Sequence, residues 1–303
     1  MLKTKFEDIV SVQSIGRHEN PIKMNDILKM ANQENLTPSI KNLESVLLLS
    51  IDVQQDFMDN GALGVPGAIA DTERLCRWVY TNMDKISTIA ASIDTHNPFQ
   101  IFHPCWWVDD NGNNPDPFTA ITLADLDSGK WKPVIRPIES REYVENLEKS
   151  GKKVLVVWSY HCLEGTSGCA LENQFSNIMY FHSVAKKSIV DRLVKGKAYT
   201  TEMYGIIKPE YDPKNYINIE FLNKLARYDK IIIAGQAKSH CVLESVQQIL
   251  EHFTNQPDIT RKITVLEDCM SSIPSFEDAT EQAFENFKKR YKINIVKSTD
   301  LVL

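Results

Sequence analysis

The chain has 303 residues, 43% of them hydrophobic and 24% charged, and a net charge of −6. That is enough for one large domain or two small ones of ordinary soluble composition. The acidic balance without a Lys/Arg cluster argues against a nucleic-acid partner, and no apolar run approaches the about 18 residues of a membrane span.

Residues 1–44 read as a polar N-terminal extension with one helical segment near 23–33. The opening MLKTKFEDIVSVQ has early acids and no apolar core, so it does not read as a secretory signal. Residues 45–303 read as the main domain. A strand is expected at 45–52 (SVLLLSID), a helix at 68–85 and a second strand at 88–94 (TIAASID). A long connection at about 97–138 follows, with six prolines and Trp106, Trp107 and Trp131. A structureless insertion of this length is expected to be functional or a lid.

The alternation then resumes. Helices are expected at 140–149, 171–184, 215–228, 239–253 and 275–290. Strands are expected at 153–159 (KVLVVWS), 230–235 (KIIIAG), 262–267 (KITVLE) and 293–297 (INIVK), with a weaker one at 188–195. The strand runs are short, β-branched and apolar on both faces, which suits buried parallel strands. Strand–helix alternation predicts an α/β fold, a three-layer sandwich around a mostly parallel sheet.

In such sheets ligands bind at the carboxyl ends of the strands. Asp52 ends the first run. Asp94, His96 and His103 follow the second, and His161 follows 153–159. Lys195 ends the weak run, and Cys241 opens the helix after KIIIAG. Each alone reads as ordinary packing or a hydrogen-bonded loop residue. Together they put a carboxylate, an amine, a thiol and several imidazoles on one rim. A cation and a helix N-terminus favour a thiolate, which makes Cys241 a candidate nucleophile beside Asp52 and Lys195. Asp94-x-His96 can present two ligands on one side of an extended segment. Imidazole and carboxylate suit zinc, iron or manganese. Phe57, Trp158 and Tyr204 flank these residues in sequence and could stack on a flat substrate. His182 and His252 fall inside helical patterns, and His18 lies in the extension. The six cysteines show no CxxC and no paired framework. They read as reduced thiols in a cytoplasmic protein.

Five ordered segments carry a resemblance: IDVQQDF with GALGVPGA, DTH, WSYHCLEGTSG, KGKAYTTEMYG and AGQAKSHCV. They resemble the nicotinamidases of the isochorismatase-like cysteine hydrolase superfamily, in a long form with an extended connection after the DxH element. The resemblance implies that fold and an Asp52–Lys195–Cys241 triad. It also implies metal ligands at Asp94, His96 and His161, with His103 as an extra one, for a single divalent ion: zinc first, iron or manganese otherwise. A cis peptide falls at Gln236–Ala237, with Ala237 and Cys241 amides as the oxyanion hole. Phe57, Trp158, Tyr204 and Gln236 would line the substrate pocket. The implied reaction is hydrolysis of nicotinamide to nicotinate and ammonia, a step of NAD metabolism, in a cytoplasmic enzyme open to homo-oligomerisation. Hydrolysis of another amide or ureide by the same triad is the alternative. A non-catalytic binding protein is the remote one, and Cys241 speaks against an isochorismatase.

Overall fold

The structure is a computed structural model that describes residues 2–151 and 153–303; Met1, the first residue of the expected extension, and Lys152 lie outside the described residues. Its centre is a six-stranded sheet. The strands are β1 (Val46–Ile51), β2 (Thr88–Asp94), β3 (Asp191–Lys195), β4 (Lys230–Gly235), β5 (Ile263–Leu266) and β6 (Asn294–Val296). Their order is β6-β5-β4-β1-β2-β3, and every pairing is parallel. β1 is buried along its whole length and β4 along all but its first residue, as their unbroken apolar runs require.

The chain winds outward from β1 to β3 and then returns to the other side of β1 with β4. This reversal between β1 and β4 is a topological switch point, where the loops leaving the two strands diverge and open a crevice. Gly235 makes the close approach there. Its φ is +131°, and a Cβ would lie 2.0 Å from the Ile51 carbonyl oxygen.

Helices α2 (Ala68–Thr81) and α4 (Asn173–Ala185) pack together, as do α5 (Leu243–His252) and α6 (Glu277–Tyr291). The first 44 residues dock on this same body. Helix α1 (Met24–Asn32) lies against α4, and Phe6, Ile9, Ile27 and Ala31 join the main core.

One expectation about strands needs correction. The 153–159 run is no part of the central sheet. Only Leu155–Val156 pairs, antiparallel, with Ala120–Ile121 of the insertion. Its neighbours continue that contact, Val157 N–H donating to the Thr119 carbonyl and Trp158 N–H to that of Phe102. The run buries Leu155, Val157 and Trp158, but its partner is the insertion. The weak candidate at 188–195 does supply a strand, β3. Its signal is faint because it is an edge strand with Arg192 and Val194 exposed.

The insertion is also not structureless. Ile101, Phe102, Trp106, Trp107 and Ile121 form a second hydrophobic core with Tyr143, Val144, Leu147, Leu155, Val157 and Trp158. Helix α3 (Pro137–Ser150) closes it, and Trp106 Nε1 donates to Ser140 Oγ at 3.0 Å. Among the described residues, no helix is long and apolar enough to cross a membrane.

Candidate active site

The carboxyl ends of four strands converge. Asp52 follows β1, Asp94 ends β2 in register with Lys195 at the end of β3, and Cys241 lies in a π-helical turn (Lys238–Val242) just after β4. Asp52, Lys195 and Cys241 are 0%, 3% and 5% exposed. Lys195 is the hub. Its Nζ lies 2.9 Å from Asp52 Oδ2, 3.0 Å from Asp94 Oδ1 and 3.8 Å from Cys241 Sγ, and it donates to the Met203 carbonyl at 3.1 Å. Ser92 Oγ steadies Asp52, donating to Oδ1 at 2.5 Å and accepting the Asp52 N–H at 2.9 Å.

The electrostatics follow from burial. Burial alone would strip the Lys195 proton, but Asp52 and Asp94 outweigh it and hold the ammonium charged well above its ordinary range. Burial raises the Asp52 carboxyl, with Lys195 pulling the other way. The Cys241 thiol is pushed well above its ordinary value by burial, against the pull of Lys195, and Asp52 adds to the rise. The Asp52 carboxyl beside the thiol is the group placed to take its proton.

Next to this triad stands a second cluster. The ligand atoms of Asp94, His96 and His161 all lie within 4.8 Å of one another. His96 Nδ1 donates to the Gly196 carbonyl at 3.1 Å, and His161 Nδ1 to the Ser159 carbonyl at 2.8 Å. Both Nε2 atoms then face Asp94 Oδ2, at 2.9 and 3.9 Å; burial would lower the His96 pKa, but Asp94 raises it above its ordinary value. Burial would raise Asp94, but His96 and Lys195 together hold its carboxyl below the usual range. Burial lowers His161 to about 3. Gly196 permits the approach, since a Cβ there would lie 2.4 Å from Asp94 Oδ1.

His103 stands beside this group rather than in it. Its ring centroid lies 5.8 Å from that of His96 and 6.0 Å from that of His161. Its Nδ1 bonds to the Pro98 carbonyl, and its buried Nε2 has no partner. A buried nitrogen left unpaired costs free energy, and a cation nearby would satisfy it.

Asp94, His161 and Cys241 open on one narrow pocket, lined by Phe57, Trp158 and Tyr204 and also by Leu63, Val65 and Ile273. Trp158 Nε1 donates to Tyr204 Oη at 3.0 Å, locking the two rings edge to face. Gln236 is a correction. Its carboxamide donates to the buried Asp71 Oδ2 at 2.9 Å and takes no part in the lining, because a buried carboxylate demands a donor. The peptide after it, Gln236–Ala237, is cis.

Two titratable lining residues escaped sequence reasoning, Glu202 and His240. Burial raises Glu202 to about 7, and its carboxylate accepts from the Met203 N–H at 2.8 Å. His240 packs edge-on against Trp158, Tyr204 and Phe276, and burial lowers it to about 4, so the imidazole is neutral. Both sit inside the segments already singled out, one in YTTEMYG and one directly before Cys241.

No protein-family model and no curated protein matches the chain. Solved structures do share its fold. A nicotinamidase/pyrazinamidase of Acinetobacter baumanii is similar with a TM-score of 0.58 and 18% identity, over 86% of this chain and 100% of that one. The yeast nicotinamidase bound to the inhibitor nicotinaldehyde gives a TM-score of 0.57 and 18% identity, over 83% and 99%. The L. infantum protein PnC1 in complex with nicotinate gives 0.52 and 15%, over 89% and 98%. At such identities the likeness establishes the α/β fold.

Proposed function

We propose that the chain is a cysteine amidohydrolase of the nicotinamidase type, which converts a primary carboxamide to a carboxylic acid and ammonia. One observation carries this reading: the Lys195 ammonium, charged and buried, touches Asp52, Asp94 and Cys241 at once. A structural lysine needs one carboxylate partner. A buried lysine shared by two carboxylates and a thiol, on the floor of a pocket, suits a nucleophilic site.

Asp52 takes the Cys241 proton as the sulfur attacks the amide carbon and the C–S bond forms. The oxyanion would lie against the Ala237 and Cys241 amides, a type of contact worth about 3–4 kcal/mol per donor. As the C–N bond breaks, Asp52 passes the proton to the leaving nitrogen and ammonia departs. Water then adds to the thioester carbon, giving one proton to Asp52. The C–S bond breaks, the acid leaves and the thiol regains its proton. Lys195 stays charged throughout and offsets the two carboxylates.

Asp94, His96 and His161 would hold a divalent cation, with the unpaired His103 Nε2 as a further donor. Imidazole and carboxylate donors suit zinc first, then iron or manganese. Bound there, the cation supplies an electrophilic anchor for a substrate nitrogen or an ordered water.

The test is ammonia release from nicotinamide by metal-replete protein. Turnover is expected, with kcat reduced by at least about 10³-fold in Cys241→Ala. Undiminished turnover in that variant would remove Cys241 from the chemistry. A lack of turnover by the parent would discard nicotinamide as the substrate.

A further inference from the structure

The pocket over Cys241 holds only about 20 Å³ of free space, room for about one water molecule. A much larger groove adjoins it, of about 610 Å³, in the usual size range of a small-molecule site. Trp158, Tyr204 and His240 line both. The three rings form a partition with the nucleophile on one side and the groove on the other. His240 is its least anchored member. It bonds to Ser239 Oγ through Nδ1 at 2.9 Å and is otherwise held by ring contacts.

We infer that the groove is the subsite for the acyl portion of the substrate, and that the preferred substrate is a primary carboxamide with an extended, aromatic or apolar acyl group. This rests on the amidohydrolase reading of the preceding subsection and names its substrate class. The carboxamide passes the partition to Cys241, and the rest of the acyl group stays where there is space.

The groove's surface specifies that group. Val154, Val156, Leu243 and Phe276 provide an apolar bed beside the Trp158 and Tyr204 faces. The charge at its edge is acidic. Among the described residues, Glu148 and Glu244 line it together with a single ammonium, that of Lys153, which lies 2.6 Å from Glu244 Oε2 and 2.7 Å from Glu210 Oε2. Its positive charge is already matched by two carboxylates. A neutral or cationic tail is therefore accepted, and an anionic one meets net negative charge and desolvation without a partner.

The test compares kcat/KM for 4-phenylbutanamide, its para-carboxylate analogue and nicotinamide, read as ammonia release. The expected order places 4-phenylbutanamide about tenfold or more above the other two, the scale at which apolar pockets discriminate. Val154→Trp fills the groove at a half-exposed position, and Phe276→Ala removes part of its wall. Each is expected to lower the ratio of 4-phenylbutanamide to nicotinamide. A ratio below one in the parent, or one unchanged in both variants, overturns the inference. If no amide releases ammonia, the amidohydrolase reading fails by itself. The groove is then judged by calorimetry of 4-phenylbutanamide on the parent protein and the two variants. Binding weakened by Val154→Trp upholds a ligand groove of this chemistry, and absent binding overturns it.

Discussion

Lys195 determines how the candidate site is charged. It is the only cation in direct contact with Asp52 and Asp94 among the described residues, and all three side chains are buried. Lys195→Met removes the counter-ion that the two carboxylates share, leaving His96 beside Asp94 and no cation on Asp52 among the described residues. Removing one partner of a buried pair typically costs about 3–5 kcal/mol, and that loss is expected in urea unfolding of the metal-free protein at pH 8. The pH dependence has a definite sign. In the variant one carboxylate takes up a proton to relieve the repulsion, so its folded-state pKa rises above the unfolded value. The folded variant then binds more protons than the unfolded chain, and its stability falls as pH rises. The penalty should be smaller at pH 5 than at pH 8; an equal penalty at both would show that the two carboxylates are not coupled through Lys195. At this scale the sequence was informative wherever chemistry coincides with a strand end. Asp52, Asp94, Lys195 and Cys241 lie together because each follows a run apolar enough to be read as a strand. Gln236 was misjudged because adjacency to Ala237 says nothing about side-chain direction, and Asp71, far away in sequence, claims its carboxamide.

The elements divide according to what their apolar residues pack against. The 153–159 run has the composition of a buried strand, and Leu155, Val157 and Trp158 are buried. Periodicity reports burial, however, and cannot name the partner, which is the insertion. The edge strand β3 shows the converse: real pairing with a faint signal, because one side faces solvent. The insertion was read as structureless from its prolines and lack of period. Its two strand pairings, Trp107–Val108 with Lys132–Pro133 and Ala120–Ile121 with Leu155–Val156, are two residues long, too brief for any periodicity, and its fold depends on aromatic packing instead. Trp106 is the centre of that packing, fully buried, with its indole N–H bonded to Ser140. Trp106→Ala should cost about 3–5 kcal/mol if the insertion unfolds together with the central sheet. Hydrogen exchange distinguishes cooperative from separate unfolding. The expected result is faster exchange confined to residues 101–158, with β1 and β4 still protected, because the two hydrophobic cores are distinct. Uniformly faster exchange across both cores would show one cooperative unit. Activity should fall with it, since Trp158 belongs to the insertion's core and also lines the pocket.

At the level of the whole molecule, the parallel sheet and its switch point explain why distant segments meet. β1 and β4 are 184 residues apart at their paired first positions, yet they are neighbours, and their diverging ends flank Asp52 and Cys241. The parallel sheet and the shared rim were legible from strand–helix alternation, whereas the β1–β4 pairing was not, because alternation does not name which strands are neighbours. The role of residues 1–44 was not legible either. A polar segment with one amphipathic helix fits a free arm as well as a docked one, and the choice depends on the surface it meets. That surface is α4, where Asn177 accepts from Asn20 Nδ2 at 2.8 Å and donates to the Ile9 carbonyl at 3.1 Å. Gln174 accepts from the Ser11 N–H, and Glu172, at the start of α4, accepts from the Gly16 N–H. Deleting residues 2–32 would therefore strip Ile9, Ile27 and Ala31 from the main core and leave Asn177 and Gln174 without these partners. Exposed apolar surface and unpaired amides act in the same direction. The truncated chain is expected to unfold at a clearly lower temperature in a thermal melt and to aggregate when concentrated. A truncated protein that melts like the parent would mean that the sheet and its site stand without the first helices, and that the extension is an accessory to a complete domain.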